Sequence, residues 1–225
     1  MGPGIALRRA RALMILLVGM VGCGQPEPVT VRISVEGTRE GEPLEPKYGG
    51  VDLGRNTMVH TALIRVSTIT VRSDDEEKTG GGPINVDLFD RTVVVEVDLV
   101  GSELVRLVVA VERPQGDGVR RGEPWSVIVG GLMDEVPFEY RDDAMPPLEI
   151  GVSTELDDEL TALVLRFELK DWFRAVDADE LVEDGGRYLL DADHNAAAAA
   201  AVEAAIRASL IADDDPACRT CENSG

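Results

Sequence analysis

The sequence predicts a mainly β protein: an antiparallel β-sandwich with one C-terminal α-helix. Three observations carry this reading. Nine short segments alternate apolar and polar residues, clusters rich in Gly, Pro and Asp separate them, and one alanine-rich stretch near the end has helical rather than strand character.

At the start of the chain, Arg8, Arg9 and Arg11 precede the apolar run LMILLVGMVGCG, and no acid occurs before Glu27. A positive segment followed by a short apolar one is the pattern of an export signal. A membrane-crossing helix needs about 20 apolar residues and this run has roughly half of that, so residues 1–22 read as a cleaved signal peptide rather than a span. The usual residues of a twin-arginine signal are missing around Arg8-Arg9. Met20-Val21-Gly22-Cys23 resembles the bacterial lipobox, with methionine where leucine is more usual. That resemblance implies a diacylglycerol on the Cys23 sulfur, cleavage just before Cys23, and a fatty acid such as palmitate on the new amino group. One acyl chain anchors only marginally, at about 0.8 kcal/mol per buried methylene, whereas two or three hold stably. The competing reading is an ordinary secretory signal in which Cys23 is incidental. Residues 23–28 then form a lipidated tether, its GQPEP stiffened by two prolines.

The body is read as a β-sandwich over residues 29–190. VTVRISVE (29–36) places Val29, Val31, Ile33 and Val35 on a dry face and Thr30, Arg32, Ser34 and Glu36 on a wet one. The same signature recurs at 62–72, 84–89, 92–100, 104–112, 125–130, 136–140, 148–152 and 161–170. Residues 37–54 read as a long loop carrying one irregular strand, and 74–83 and 113–124 as turn clusters. Alternating strands need a second sheet to cover their dry faces, and short strands with such punctuation predict antiparallel hairpins. Trp125 and the Asp171-Trp172-Phe173 stretch are read as core pillars in an aromatic-poor chain.

Residues 191–212 are assigned to a C-terminal helix packed on the sandwich. AAAAAAVEAAIRASLIA is the best helix former present, Glu203 stands four residues before Arg207, and Val202, Ile206 and Leu210 share a face. Ahead of it, Asp191, Asp193 and Asn195 form D-x-D-x-N, the opening of a calcium loop. The pattern then breaks, because Ala196 stands where glycine belongs and Val202 where glutamate belongs. Helix capping by Asp or Asn is the competing role. Asp213, Asp214 and Asp215 follow the helix at the end where its dipole disfavours negative charge, so a cation or simple fraying must relieve them. Residues 213–225 read as an acidic tail in which Cys218 and Cys221 form a CxxC. In an oxidising compartment that pair reads as a local disulfide, with a thiol-redox role as the alternative.

Composition narrows the function. The formal net charge of −20 becomes more negative by three once the signal arginines are removed. Such a field repels phosphate backbones and anionic lipid, which excludes nucleic acid as a partner and leaves the N-terminal lipid as the membrane contact. Four Phe, two Trp and three Tyr are few for a platform of stacked sugars. No G-x-S-x-G or H-E-x-x-H occurs, and the two histidines read as structural, His60 as a strand-end or surface residue where a strand opens and His194 as part of the helix-capping turn. Acid pairs such as Asp142-Asp143 and Asp157-Asp158 read as loop charges in a chain with 42 carboxylates.

Taken in order, the lipobox, the strand pair SVIVGGLMDEVPFEY, the strand-to-turn segment LRFELKDWFRAVD, Asn195 before a terminal helix and the acidic tail resemble uncharacterised bacterial cell-envelope lipoproteins. The resemblance implies an immunoglobulin-like or transthyretin-like sandwich and transfers no catalytic motif. The expected function is a non-catalytic, lipid-anchored envelope protein that needs no cofactor and binds an unknown protein, glycan or small ligand or scaffolds the surface. Gly24 after the cysteine, where aspartate would retain an enteric-type lipoprotein in the inner membrane, points to the outer membrane. The alternatives are a calcium-binding or calcium-stabilised envelope domain and a thiol-redox protein acting through the CxxC.

Overall fold

The computed structural model describes residues 27–44, 50–112, 125–143, 145–156 and 160–214. Met20, Val21, Gly22 and Cys23, the acid pair Asp157-Asp158, Asp215, and Cys218 and Cys221 lie outside the described residues. In chain order the strands are β1 (Val29–Arg39), β2 (Glu42–Pro43), β3 (Val51–Gly54), β4 (Thr57–Ser73), β5 (Glu77–Gly80), β6 (Ile84–Asp87), β7 (Thr92–Leu99) and β8 (Glu103–Val111). They continue with β9 (Val127–Met133), β10 (Val136–Asp142), β11 (Leu148–Glu155), β12 (Leu160–Glu168), β13 (Glu183–Asp184) and β14 (Arg187–Leu190), then helix α1 (Ala196–Ala208) and β15 (Leu210–Asp214). The protein is mainly β, with two multi-stranded sheets and a single described α-helix near the C-terminus.

The smaller sheet runs β15-β12-β1, and β7 and β2 share the remaining edge of β1. The larger sheet is organised by β4, whose 17 residues are long enough to serve several neighbours. One edge of β4 pairs with β9 and then β8, and the other with β3, β6 and β5. Beyond β8 lies β11, and beyond β9 lie β10, β14 and β13. The alternation in the sequence explains the face-to-face packing: Val31, Ile33 and Val35 of β1 and Leu163, Leu165 and Phe167 of β12 join Ile64, Ile69, Leu107 and Val109 in one buried cluster. Full burial of each such side chain contributes about 1.5–3 kcal/mol. The sheets also meet at their edges, since a Cβ on Gly80 of β5 would lie 2.6 Å from Val95 and 2.7 Å from Val97 of β7.

Two pairings depart from the antiparallel expectation. β12 runs parallel to β1 and β14 parallel to β10. Alternation reports which face of a strand is dry but not its direction, so partners far apart in sequence were invisible to it. The second half of β1 is also buried on both faces, which period two does not predict. On the outer face, Arg91 donates to Ser34 Oγ, and Arg166 donates from Nε to Glu36 at 2.9 Å and from Nη1 to Asp213 at 2.7 Å. Glu36 is only 5 % exposed, so its partner matters: removing one member of a buried pair strands the other charge. Hydrogen bonding to Glu36 raises the Arg166 pKa against the opposing effect of burial, with Asp213 adding to the rise.

The C-terminal end needs a second correction. The helix stops at Ala208 instead of reaching 212, and Leu210–Asp214 pair antiparallel with β12. Ser209 marks the change, with its hydroxyl donating to the Ile206 carbonyl at 2.8 Å and accepting the Trp172 indole N–H at 2.8 Å. Asp213 is therefore a strand residue neutralised by Arg166, and neither a cation nor fraying is required to explain it.

The sandwich has two unlike poles. The start of β1 lies beside the end of β7, and the Ser73–Glu77 connection lies beside Val100 and Ser102, so Asp74, Asp75, Glu76, Asp98 and Glu103 gather at this N-terminal pole. Asp74 accepts hydrogen bonds from the Ser102 hydroxyl and from the N–H groups of Ser102 and Glu103, which lower its pKa from 3.8 to about 2. Its contribution to stability is accordingly full above pH 3.8 and is lost as the pH falls through about 2. Acid titrations followed by circular dichroism should show Asp74→Asn with a flatter stability profile across that window; an unchanged profile would remove Asp74 from the acid response.

Candidate functional site

At the opposite pole the backbone is made of tight hairpins. Arg55 and Asn56 (φ 51° and 56°) join β3 to β4, Asp134 and Glu135 (48° and 68°) join β9 to β10, and Glu40 and Gly41 (57° and 80°) join β1 to β2. Two consecutive left-handed residues match the right-handed twist of the flanking strands, as in type I′ turns. The first two turns are stitched together: the Asn56 amide donates to Asp134 Oδ1 at 2.8 Å, and the Asp134 N–H donates to the Asn56 carbonyl at 3.1 Å. In the third, the N–H groups of Glu40 and Gly41 both donate to the Glu168 carboxylate at 2.9 Å.

The chain leaving β12 completes this pole. A 3-10 turn, Leu169–Asp171, follows Glu168 and leads into Trp172 and Phe173, which are 0 % and 4 % exposed. Both are core pillars as expected, Trp172 edge-on to Phe167 with ring centres 6.1 Å apart and Phe173 edge-on to Phe138 at 4.8 Å. Trp125 is only half-buried, with the Arg141 guanidinium 5.4 Å from its ring centre. Anchoring Trp172 and Phe173 inside brings Lys170 and Arg174 to the surface beside Arg55.

Between the β3–β4 turn and the 169–174 segment is a cleft of about 350 Å³. Leu53 and Phe173 contribute apolar lining, and Arg55, Lys170 and Arg174 contribute cations, with Asp171 as the acid among its lining residues. Arg55 Nη1 donates to the Arg174 carbonyl at 2.7 Å, and among the described residues Arg55 has no carboxylate partner. Lys170 pairs with Glu40, and Arg174 lies 3.5 Å from Asp171, all four side chains being well exposed. Two wider hollows of about 600 and 570 Å³ flank the same turn and share Arg55, Asn56 and Thr57 with each other. Arg55, Lys170 and Arg174 were not singled out from the sequence; the available signal was the G-R-N-T stretch, a two-residue hairpin turn between apolar residues.

The D-x-D-x-N residues are engaged internally. Asp191 Oδ1 accepts from the N–H groups of Asp193 and His194 and from His194 Nδ1, at 2.9, 2.7 and 2.9 Å. Burial works to raise the Asp191 pKa, but these hydrogen bonds outweigh it and hold the carboxyl below its ordinary value. Asn195 occupies the helix N-cap position with φ 50° but makes no capping bond; its amide instead ties Val182 to Leu189. Asp193 is exposed. Among the described residues no group of three or more His, Cys, Asp and Glu side chains is arranged to hold a metal ion. His194 belongs to the turn before α1, and His60 is exposed at a bulge in β4 rather than at its start. Asp142 accepts the hydroxyl of buried Tyr140 at 3.1 Å, which gives this acid a structural role. Burial is the main cause of the raised Tyr140 pKa, with the Asp142 charge next.

Among the described residues no helix is long and apolar enough to cross a membrane. No family model, curated protein or solved structure matches the chain.

Proposed function

We propose that this chain is a non-catalytic bacterial cell-envelope lipoprotein, held to the outer membrane by acyl chains on Cys23 and binding its partner through the pole farthest from that anchor. The observation that carries the reading is the N-terminal arrangement itself: three arginines, a short apolar run, and Met20-Val21-Gly22 directly before Cys23.

The geometry fits such a role. Val29 opens β1 six positions after Cys23, so the tether reaches at most about 20 Å even when fully extended. The 11 residues of β1 then run about 36 Å away from that attachment, towards the pole that carries the cleft. Acids at the near pole repel anionic headgroups, which leaves the lipid as the membrane contact and the far pole free to meet a partner. The partner is a protein, a glycan or a small ligand; the acidic surface disfavours nucleic acid, and the reading requires no cofactor.

The test is metabolic labelling with radioactive palmitate followed by membrane fractionation. The natural protein should incorporate label and sediment with membranes, and Cys23→Ala should lose the label and leave the membrane fraction. An unlabelled natural protein, or a Cys23→Ala variant that still sediments with membranes, overturns the anchor.

A further inference from the structure

We infer that the cleft between the β3–β4 turn and the 169–174 segment binds a carboxylate carried next to an apolar group, the chemistry presented by a peptide ending in an apolar residue or by a free branched acid. The inference rests on the binding role proposed above and names the ligand class of that far pole.

Three features converge. The first is charge. The chain has 42 acidic residues against 22 Lys and Arg, yet this cleft is lined by three cations and one carboxylate. Exposed charges beyond about 8 Å are largely screened at physiological salt, and the carboxylates bordering the cleft are already engaged, Glu40 on Lys170, Glu168 on the Glu40 and Gly41 N–H groups and Asp52 on the Gly54 N–H.

The second is the condition of the cations. Arg55 is fixed through one N–H on the Arg174 carbonyl, which leaves the rest of its guanidinium fork without a carboxylate among the described residues. An arginine fork is suited to paired hydrogen bonds with a carboxylate. Lys170 and Arg174 have only exposed partners, Glu40 and Asp171. Exposed ion pairs contribute about 0–1 kcal/mol, so exchanging such a partner for a ligand carboxylate costs little.

The third is shape. Leu53 and Phe173 give the cleft an apolar wall held in place by the core, and about 350 Å³ is within the range of small-ligand sites. A bare anion would use the cations and leave this wall wet. A carboxylate with an adjoining aliphatic group uses both.

Calorimetric titration of the full-length protein in detergent with N-acetyl-leucine tests the site. Saturable heat is expected at millimolar ligand, weakening as salt rises, with no heat from N-acetyl-leucinamide, which lacks the charge, and less from acetate, which lacks the apolar group. Arg55→Asn, which retains a residue tolerant of the left-handed turn, should weaken binding about tenfold. Arg174→Gln is a second variant at an exposed position and should weaken it in the same direction. Tighter binding of a tripeptide ending in leucine assigns the carboxylate to a peptide terminus; equal binding assigns it to a free acid. No heat from N-acetyl-leucine, equal heat from its amide, or full binding by both variants would overturn the site. The titration does not depend on how the N-terminus is held, so its failure is distinct from failure of palmitate labelling.

Discussion

Gly131→Ala is expected to lower the stability of the fold by about 3 kcal/mol, from the addition of a single methyl group. Gly131 lies in β9 between β4 and β10, opposite Val59 on one side and Phe138 on the other. The β4 register slips between Val59 and Thr61, leaving His60 as the extra residue of a bulge. The bulge brings β4 backbone over β9 so closely that a Cβ on Gly131 would stand 1.9 Å from the Met58 carbonyl oxygen and 2.9 Å from its carbon. Backbone cannot swing aside as a side-chain tip can, so relief must come from opening the β4–β9 ladder itself. Gly151→Ala is the internal control: its Cβ would meet nothing within 4 Å, and alanine is the less costly residue in an extended strand. Urea unfolding should show a large fall in midpoint for Gly131→Ala at unchanged slope and little or no fall for Gly151→Ala. Equal midpoints would mean that the bulge yields easily and that glycine is not required there.

That bulge also marks what a sequence can and cannot disclose. Alternation located the dry faces of β4, β8 and the first half of β1 because burial of one face is a local property of each strand, whereas Thr161–Leu165 of β12 are buried on both faces by neighbours the pattern does not report. Strand direction is not local, so the parallel β1–β12 pairing left no trace. Short strands inside apparent turn clusters were also missed: Glu77–Gly80 forms only because β4 is long enough to offer it an edge. Residues 210–212 read as the end of the helix because alanine propensity runs up to them, and 213–214 as tail, whereas pairing with β12 and the Ser209 hydrogen bonds make all five a strand. Asn195 carried the composition of a cap, but its amide is taken by Val182 and Leu189, contacts that exist only once β14 is in place. The cleft was the least legible element. Arg55 and Arg174 are 119 positions apart, and nothing near either one announces the other.

The residue that brings those two arginines together is Trp172, and Trp172→Ala is expected to cost about 3–5 kcal/mol. The indole is fully buried, stands edge-on to Phe167, and donates to Ser209 Oγ at 2.8 Å. It therefore joins the end of β12 to the junction where α1 gives way to β15. Truncation to alanine leaves a cavity beneath the 169–176 segment that the surrounding sheets cannot fill without losing their register. Trp172→Phe separates packing from hydrogen bonding: it keeps most of the ring contact, and the Ser209 hydroxyl still donates to the Ile206 carbonyl, so no buried donor is stranded. Its cost should be about 1–2 kcal/mol. The two variants should also differ at the surface. Lys170 and Arg174 flank Trp172 in sequence, so loosening this segment disperses two of the three cleft cations while their identities remain unchanged. Urea unfolding combined with titration of N-acetyl-leucine should find the phenylalanine variant folded and binding, and the alanine variant marginally stable with binding lost. If alanine cost no more than phenylalanine, the pillar role of Trp172 would fail; if the folded alanine variant bound as well as the natural protein, the cleft would not depend on the core beneath it.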